Sequence, residues 1–401
     1  MYQQKETKYN LIEFLLFLII LYTVMPIVAR LISSTLTTYA YLLILLITFA
    51  LIMFKRNEKS FNECMLLLLP FLAWKALQLL LATEMVLWGY SILLDCIFLV
   101  AGYYVNNFCK QEKIRIGVKI LVCVSIITTL TTIVGCAMYP EASRILASVD
   151  STDVESSLYD WRNIGGYSFV YLMVLLHPLL ILAYKRRKIK LSKALIGTVL
   201  IFVLAIFSEY TTALLLVLIT SILYFSGKTF KISNLIFLLI LAILAVTVFS
   251  EFFSIFLNNL ADKVNSENIA YRLRALAGGR TGIENSEDNR IGLYENSFKT
   301  FLNNPLIGTC LNGGGGIGGH SFILDFMAQY GIVGLIVMLL MYITIYKYFF
   351  APYKKKKEVG YILWVFIQAI ILSTINTGAW LSVLTFFTPL ILKFLYADEE
   401  E

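Results

Sequence analysis

Along this chain apolar residues do not alternate with polar ones. They gather into long blocks joined by short polar connectors. A helix needs about 20 apolar residues to cross the hydrocarbon core of a bilayer. Twelve blocks approach that length: 11–30, 39–54, 64–82, 85–105, 116–138, 167–184, 194–208, 210–225, 234–256, 321–349, 360–375 and 378–396. The pattern predicts an all-α, polytopic integral membrane protein of about 12 transmembrane helices, with 1–401 as a single membrane domain. The pairs 194–208/210–225 and 360–375/378–396 read as tight hairpins or partly re-entrant segments. Two connectors are longer than the rest: 139–166, and a large loop over 257–320.

Composition supports this solvent assignment. Apolar residues make up 59% of the 401 residues and charged residues only 15%. Soluble globules average about 25% charged residues, so a soluble enzyme and a disordered scaffold are both excluded. The net charge of +7 matters less than its distribution. With the N-terminus inside, 22 of the 33 basic residues fall in inner segments, including KRRKIK (185–190) and KKKK (354–357). That asymmetry predicts cytoplasmic N- and C-termini and makes 139–166 and 257–320 extracytoplasmic. The basic runs each lie between two spans, so they read as topology determinants on anionic headgroups, not as a nucleic-acid surface. No signal-peptide cleavage pattern precedes the first block, which predicts that it stays as an anchor. The six cysteines form no CxxC or Cys/His cluster, so no metal site or disulfide framework is readable.

Candidate chemistry follows from charge out of place. Lys75 and Asp95 fall inside predicted spans, as a neutralising pair or as an ion or substrate site. Glu209, Glu251 and Asp325 fall near the outer boundary, either as solvated helix ends or lining a polar cavity. Of the two histidines, His177 precedes Pro178 inside a span and reads as packed. His320 ends the large loop at the membrane surface, where an imidazole can titrate and reach a ligand. Within that loop, Arg272, Arg274 and Arg280 precede a helix predicted over 286–304. Ser286 is its N-cap, Glu287 and Asp288 open its first turn, and Asn303, Asn304 and Pro305 stop it. Ile291, Tyr294, Phe298, Phe301 and Leu302 recur at helical spacing, as a face for the bilayer or for other spans. Arg290 sits in the opening turn, where a bound anion gains from both the guanidinium and the free amides. GTCLNGGGGIGGH (308–320) has seven glycines, as a flexible connector or as a loop bringing amides to a phosphate or sugar.

These residues resemble a known family. NRIGLYENSFKTFLNNPLIG (289–308), followed by HSFILDFMAQYGIVGL (320–335), is similar to the C-terminal half of the O-antigen polymerase and O-antigen ligase superfamily, which includes Wzy-type polysaccharide polymerases. That family's pattern is an arginine, an amphipathic segment ending in "nPl-G", a glycine-rich stretch, then His-Asn and "L-x-x-G-I-x-G" entering a span. WRNIGGYSFVYLMVLL (161–176) resembles its "R-x-x-G" outer loop. The sequence departs from the pattern at Ser321, often asparagine in the family, and at Gln329, often glutamate. It also departs at Thr211, which stands where an outer "S-R-T" hairpin carries arginine.

The resemblance implies glycosyl transfer at the outer face of a bacterial cytoplasmic membrane. A polyprenyl-diphosphate-linked oligosaccharide donor is attacked by the terminal hydroxyl of an incoming repeat unit. Its product is a capsular, exo- or O-antigen polysaccharide. Such a site needs cations or amides on the diphosphate and a polar group on the acceptor hydroxyl. The expected catalytic residues are His320 and Arg290, with Arg162, Arg280, Arg272, Arg274 and Tyr294 binding substrate. Neither a metal nor another cofactor is expected. The bilayer, the lipid-linked oligosaccharide, a chain-length regulator and a flippase are the partners this activity implies. A ligase moving a finished glycan is the first alternative. A lipid-linked glycan flippase or other transporter is the second, although no two matching halves are visible.

Overall fold

The computed structural model describes residues 89–139, 142–146, 162–225, 258–264, 290–309 and 317–397, with isolated positions elsewhere. Among these residues the chain is all-helical and contains no strand. In chain order the helices are α1 (Gly89–Phe108), α2 (Gln111–Met138), α3 (Ala142–Ile145), α4 (Tyr167–Lys185), α5 (Leu191–Phe207) and α6 (Thr211–Phe225). They continue with α7 (Arg290–Asn303), α8 (Phe322–Ile345), α9 (Val359–Ile375) and α10 (Thr388–Leu395). A π-helical turn, Tyr346–Phe350, prolongs α8, and another, Val383–Phe387, leads into α10.

Among the described residues, three helical stretches are long and apolar enough to cross a membrane: Gln111–Met138, Tyr167–Lys185 and Phe322–Tyr353. Shorter apolar helices, among them Leu191–Phe207 and Val359–Ile375, pack around them. The protein is therefore a membrane-embedded helical bundle. Eight of the predicted blocks match helices or helical runs within a few residues. The blocks 11–30, 39–54, 64–82 and 234–256 fall outside the described residues apart from isolated positions, as does the Lys75/Asp95 pairing.

Helix α4 is the axis of the bundle. Phe169, Leu172, Val174, Leu175, Leu179 and Leu182 are all buried on it, and α5, α6 and α9 surround it. His177 is buried here and its Nε2 lies 3.2 Å from Thr198 Oγ1 of α5, the packed role expected for it. The outer helices turn an apolar face outward instead. On α2 that face includes Ile116, Ile127, Leu130 and Val134, and on α5 Leu195, Ile196 and Val199. Apolar surface left out of a helical bundle at this density is what lipid covers.

The basic loops gather at one end. Arg186 lies 3.9 Å from Glu358 and stacks over Tyr396. Lys188 reaches the ring of Phe394, and Lys356 reaches the Tyr396 ring. KRRKIK, KKKK and the end of α10 thus share one end of the bundle, as the loop charges predict. Lys393, which the sequence places within a span, reaches the last turn of α1. Its Nζ donates to the carbonyls of Asn106 at 2.8 Å and of Val105 and Cys109 at 3.3 Å. A cation at the C-terminal end of a helix supplies donors to its last carbonyls and meets the negative end of the helix dipole. Lys393→Met keeps the apolar stem and removes the donors. It is expected to cost about 1.5–3 kcal/mol, read as a lower thermal midpoint of the detergent-purified protein, with Lys393→Arg retaining most of it.

Candidate functional site

At the opposite end, α7 docks on the start of α8. Ser297 of α7 is fully buried. Its Oγ donates to Asp325 Oδ1 at 2.6 Å and accepts from the amide of Gly318 at 2.9 Å. Asp325 also accepts from the amides of Gly319 (3.2 Å, on Oδ1) and Ser321 (3.0 Å, on Oδ2). Ser321 is the N-cap of α8, its side chain accepting from the Leu324 amide at 3.1 Å. One carboxylate therefore ties the end of the glycine-rich loop, the cap of α8 and the buried face of α7 together. A carboxylate in the first turn of a helix also complements its dipole.

A second tie forms nearly two helical turns deeper. Gly331 has φ 63° and ψ −157°, which breaks α8 inside an apolar segment. A break there frees backbone groups that lipid cannot satisfy. Segment 305–309 crosses the break and supplies the partners. Ile332 N donates to Pro305 O at 2.8 Å, Val333 N to Leu306 O at 3.2 Å, and Thr309 N to Ala328 O at 3.1 Å. The crossing is close enough to require glycine on both sides. A Cβ on Gly308 would strike the backbone of Gln329 and Tyr330, and one on Gly331 would strike that of Leu306 and Ile307. Both residues also have positive φ, near +65° and +63°, which disfavours any side chain. The sequence predicts one unbroken helix here, and the glycine at 331 is what divides it.

The C-terminal end of α9 completes the arrangement. Tyr294 Oη donates to Ile375 O at 2.8 Å, and Phe322 N donates to Asn376 O at 2.9 Å. The Asn376 side-chain nitrogen, Trp380 Nε1 and Thr309 Oγ1 are buried with no hydrogen-bond partner among the described residues. Trp380 closes a ring cluster with Tyr167 (5.6 Å between centroids) and Tyr171 (5.5 Å), and Tyr210 packs on both tyrosines. Through that cluster the α7–α8 unit connects with the WRNIGG loop before α4.

That loop is clamped by hydroxyls of α2. Asn163, at φ 55°, places Nδ2 3.2 Å from both Thr128 Oγ1 and Thr131 Oγ1. Gly165 N donates to Thr132 Oγ1 at 2.7 Å, and Ser143 Oγ donates to Gly165 O at 2.7 Å. Tyr210 Oη donates to Ser143 O at 2.8 Å, which binds the turn between α5 and α6 to the same loop. Glu209 in that turn is buried and has φ 58°.

The predicted site residues divide accordingly. His320 is half-buried between Gly319 and the cap Ser321. Tyr294 lies on α7 in the same unit, and Arg290 is the first residue of that helix. Arg162 is exposed and stacks over the Tyr139 ring at 4.4 Å, so α2 holds it at the second cluster, not against α7 or α8. Arg274 is paired with Asp262 at 2.8 Å. Arg272, Arg280 and Glu251 lie outside the described residues, as do Ser286 to Asp288 at the expected start of α7. Asp325, an open alternative in the sequence, is the anchor of the unit. Ser297, Asn376 and Trp380 carry no sequence signal for their positions, although Ser321 with Asp325 four residues on is a readable helix start. No group of His, Cys, Asp or Glu suited to a metal occurs among the described residues.

No protein-family model matches this chain, and no curated protein matches it either.

The Ser297–Asp325 contact is a charge-assisted bond and is testable as one. A double-mutant cycle with Ser297→Ala and Asp325→Asn is expected to return a coupling energy of about 1–2 kcal/mol in thermal or denaturant unfolding. Asp325→Asn alone is the more damaging of the two, since it also weakens the acceptor of two amides. Gly308→Ala is expected to abolish monodisperse protein in size-exclusion chromatography, because the added methyl meets backbone that cannot yield.

Proposed function

We propose that this chain is a membrane glycosyltransferase that polymerises polyprenyl-diphosphate-linked oligosaccharide repeat units at the outer face of a bacterial cytoplasmic membrane. One observation carries the reading. The two segments that bear the resemblance, 289–308 and 320–335, interlock through Asp325 and through the Gly308/Gly331 crossing. They do so at the end of the bundle opposite the basic loops, with His320 half-buried at the surface of the unit. The departure at Ser321 also fits, because the residue acts as an N-cap and serine and asparagine are near-equivalent there.

In this reading His320 orients or deprotonates the acceptor hydroxyl as the anomeric carbon–oxygen bond of the donor breaks. The acceptor oxygen forms the new glycosidic bond, and the diphosphate leaves as a polyprenyl diphosphate. Arg290, at the positive end of α7, and Arg162, projecting from the second cluster, neutralise the charge that develops on that leaving group. Arg274 serves this role only if its pair with Asp262 opens. Proteins of the kind that regulate chain length and flip lipid-linked units would act alongside.

The broken α8 is the observation that favours the transporter reading, since discontinuous spans recur at transporter substrate sites. Purified protein in nanodiscs, supplied with lipid-linked repeat units, separates the readings. A polymerase yields a ladder of lengths, a ligase a single transfer, and a transporter no change in product. With polymerisation established, His320→Ala and Arg290→Ala are each expected to slow elongation by about 10²-fold or more. Wild-type rates from both folded variants overturn the assignment.

A further inference from the structure

The exterior of α7 has three sectors, each a different solvent. At about 100° per residue, Tyr294, Ser297 and Phe301 form the side docked on α8 and α9. Asn296 and Asn303 lie on the far side and are exposed, with the exposed Glu295–Lys299 ion pair (2.7 Å) beside them. Between the docked side and the polar side stand Phe298 and Leu302, 46% and 57% exposed, and Leu306 just beyond the helix at 68%. A helix lying wholly in water has no use for such a strip, and a helix buried in the bundle would not leave it open.

The length of α8 says what covers it. Beyond Gly331, α8 shows a lipid-type face of Ile332, Val333, Ile336, Leu339, Leu340 and Ile343. The exposed Lys347 marks its lower limit. From Ile332 to Lys347 is a rise of roughly 22 Å at 1.5 Å per residue. The hydrocarbon core is about 30 Å thick, which leaves roughly 8 Å of apolar exterior unaccounted for on this side of the bundle. The first half of α8 does not provide it, because no large apolar residue from Phe322 to Tyr330 is exposed there. Helix α7 runs beside that half in the same direction, since Ser297 meets Asp325 and Pro305 meets Ile332. Leu306 is joined to Val333 through the backbone, so the strip Phe298–Leu302–Leu306 prolongs the face of α8 without interruption.

We infer that α7 is a re-entrant helix whose strip of Phe298, Leu302 and Leu306 is immersed in the acyl chains of the leaflet at the end opposite the basic loops. Membrane phospholipid is its occupant. Its polar side fronts water, and Lys299 extends its ammonium towards the headgroups. The arrangement fixes His320 and Asp325 at headgroup height whatever reaction the site performs, so it does not rest on glycosyl transfer.

The test is photocrosslinking in nanodiscs of phosphatidylglycerol carrying radiolabelled acyl chains. p-Benzoylphenylalanine replaces Phe298, Leu302, Asn296 or Asn303 in turn in the full chain. Lipid label is expected to attach at 298 and 302 several-fold more strongly than at 296 and 303. Equal labelling at all four positions overturns the inference, and so does a protein–protein adduct at 298 and 302 in place of lipid. Position 306 takes the place of either strip residue whose variant is not monodisperse, with the same outcomes required.

Discussion

The structure depends on a constraint imposed by hydrocarbon: a backbone group that leaves its helix must find another partner, because lipid offers none. At Gly331 the chain breaks a long apolar helix, and the carbonyls of Pro305 and Leu306 and the amide of Thr309 fill the gap. Once that crossing is fixed, little freedom remains for α7. Its last residues are held at the break, its buried serine is drawn to Asp325, and the returning loop must end where the α8 cap stands. The position of His320 follows from this chain of constraints.

The same economy appears elsewhere at this end of the bundle. Asp325 is a charge near the membrane boundary, yet it accepts from a hydroxyl and two amides. Satisfied in this way, a carboxylate rigidifies its surroundings, whereas unpaired it would be costly. Thr128, Thr131 and Thr132 do the same for the WRNIGG loop through neutral bonds. Of the four non-glycine residues with positive φ among the described residues, Asn163, Glu209 and Trp380 lie in the turns that these networks and the aromatic cluster hold, and Arg187 lies in the basic loop after α4. Strained backbone of this kind persists only where surrounding contacts over-determine it. The end opposite the basic loops is tightly specified in this way, and it contains buried donors of Asn376 and Trp380 that have no hydrogen-bond partner among the described residues. The basic end is held by long cations over rings and helix ends, as with Arg186 over Tyr396 and Lys393 at α1.

The proposed function places chemistry on a lipid-linked substrate at this surface. A diphosphate carried on a polyprenyl chain sits at headgroup height, so a site for it gains from being positioned by elements that contact both water and lipid. Helix α7 is such an element, with protein, lipid and water each meeting a different side. Arg162 approaches from the opposite cluster, braced against Tyr139.

The apolar blocks by themselves determined that the chain is helical and membrane-embedded, and the loop lysines determined that the basic segments share one end. Both follow from local, one-dimensional rules: a span must be long and apolar, and charge must stay out of it. Helix α7 and its stop at Asn303 were legible for the same reason, since a periodic face and a breaker suffice. The break in α8 was not. GIVG reads as ordinary membrane-helix text, and only the crossing segment makes a positive φ at Gly331 affordable. Nor could the sequence pair Ser297 with Asp325, 28 residues apart, bring Tyr294 to Ile375, 81 residues away, or part Arg162 from α7. Those contacts join distant parts of the chain, and packing in three dimensions decided them.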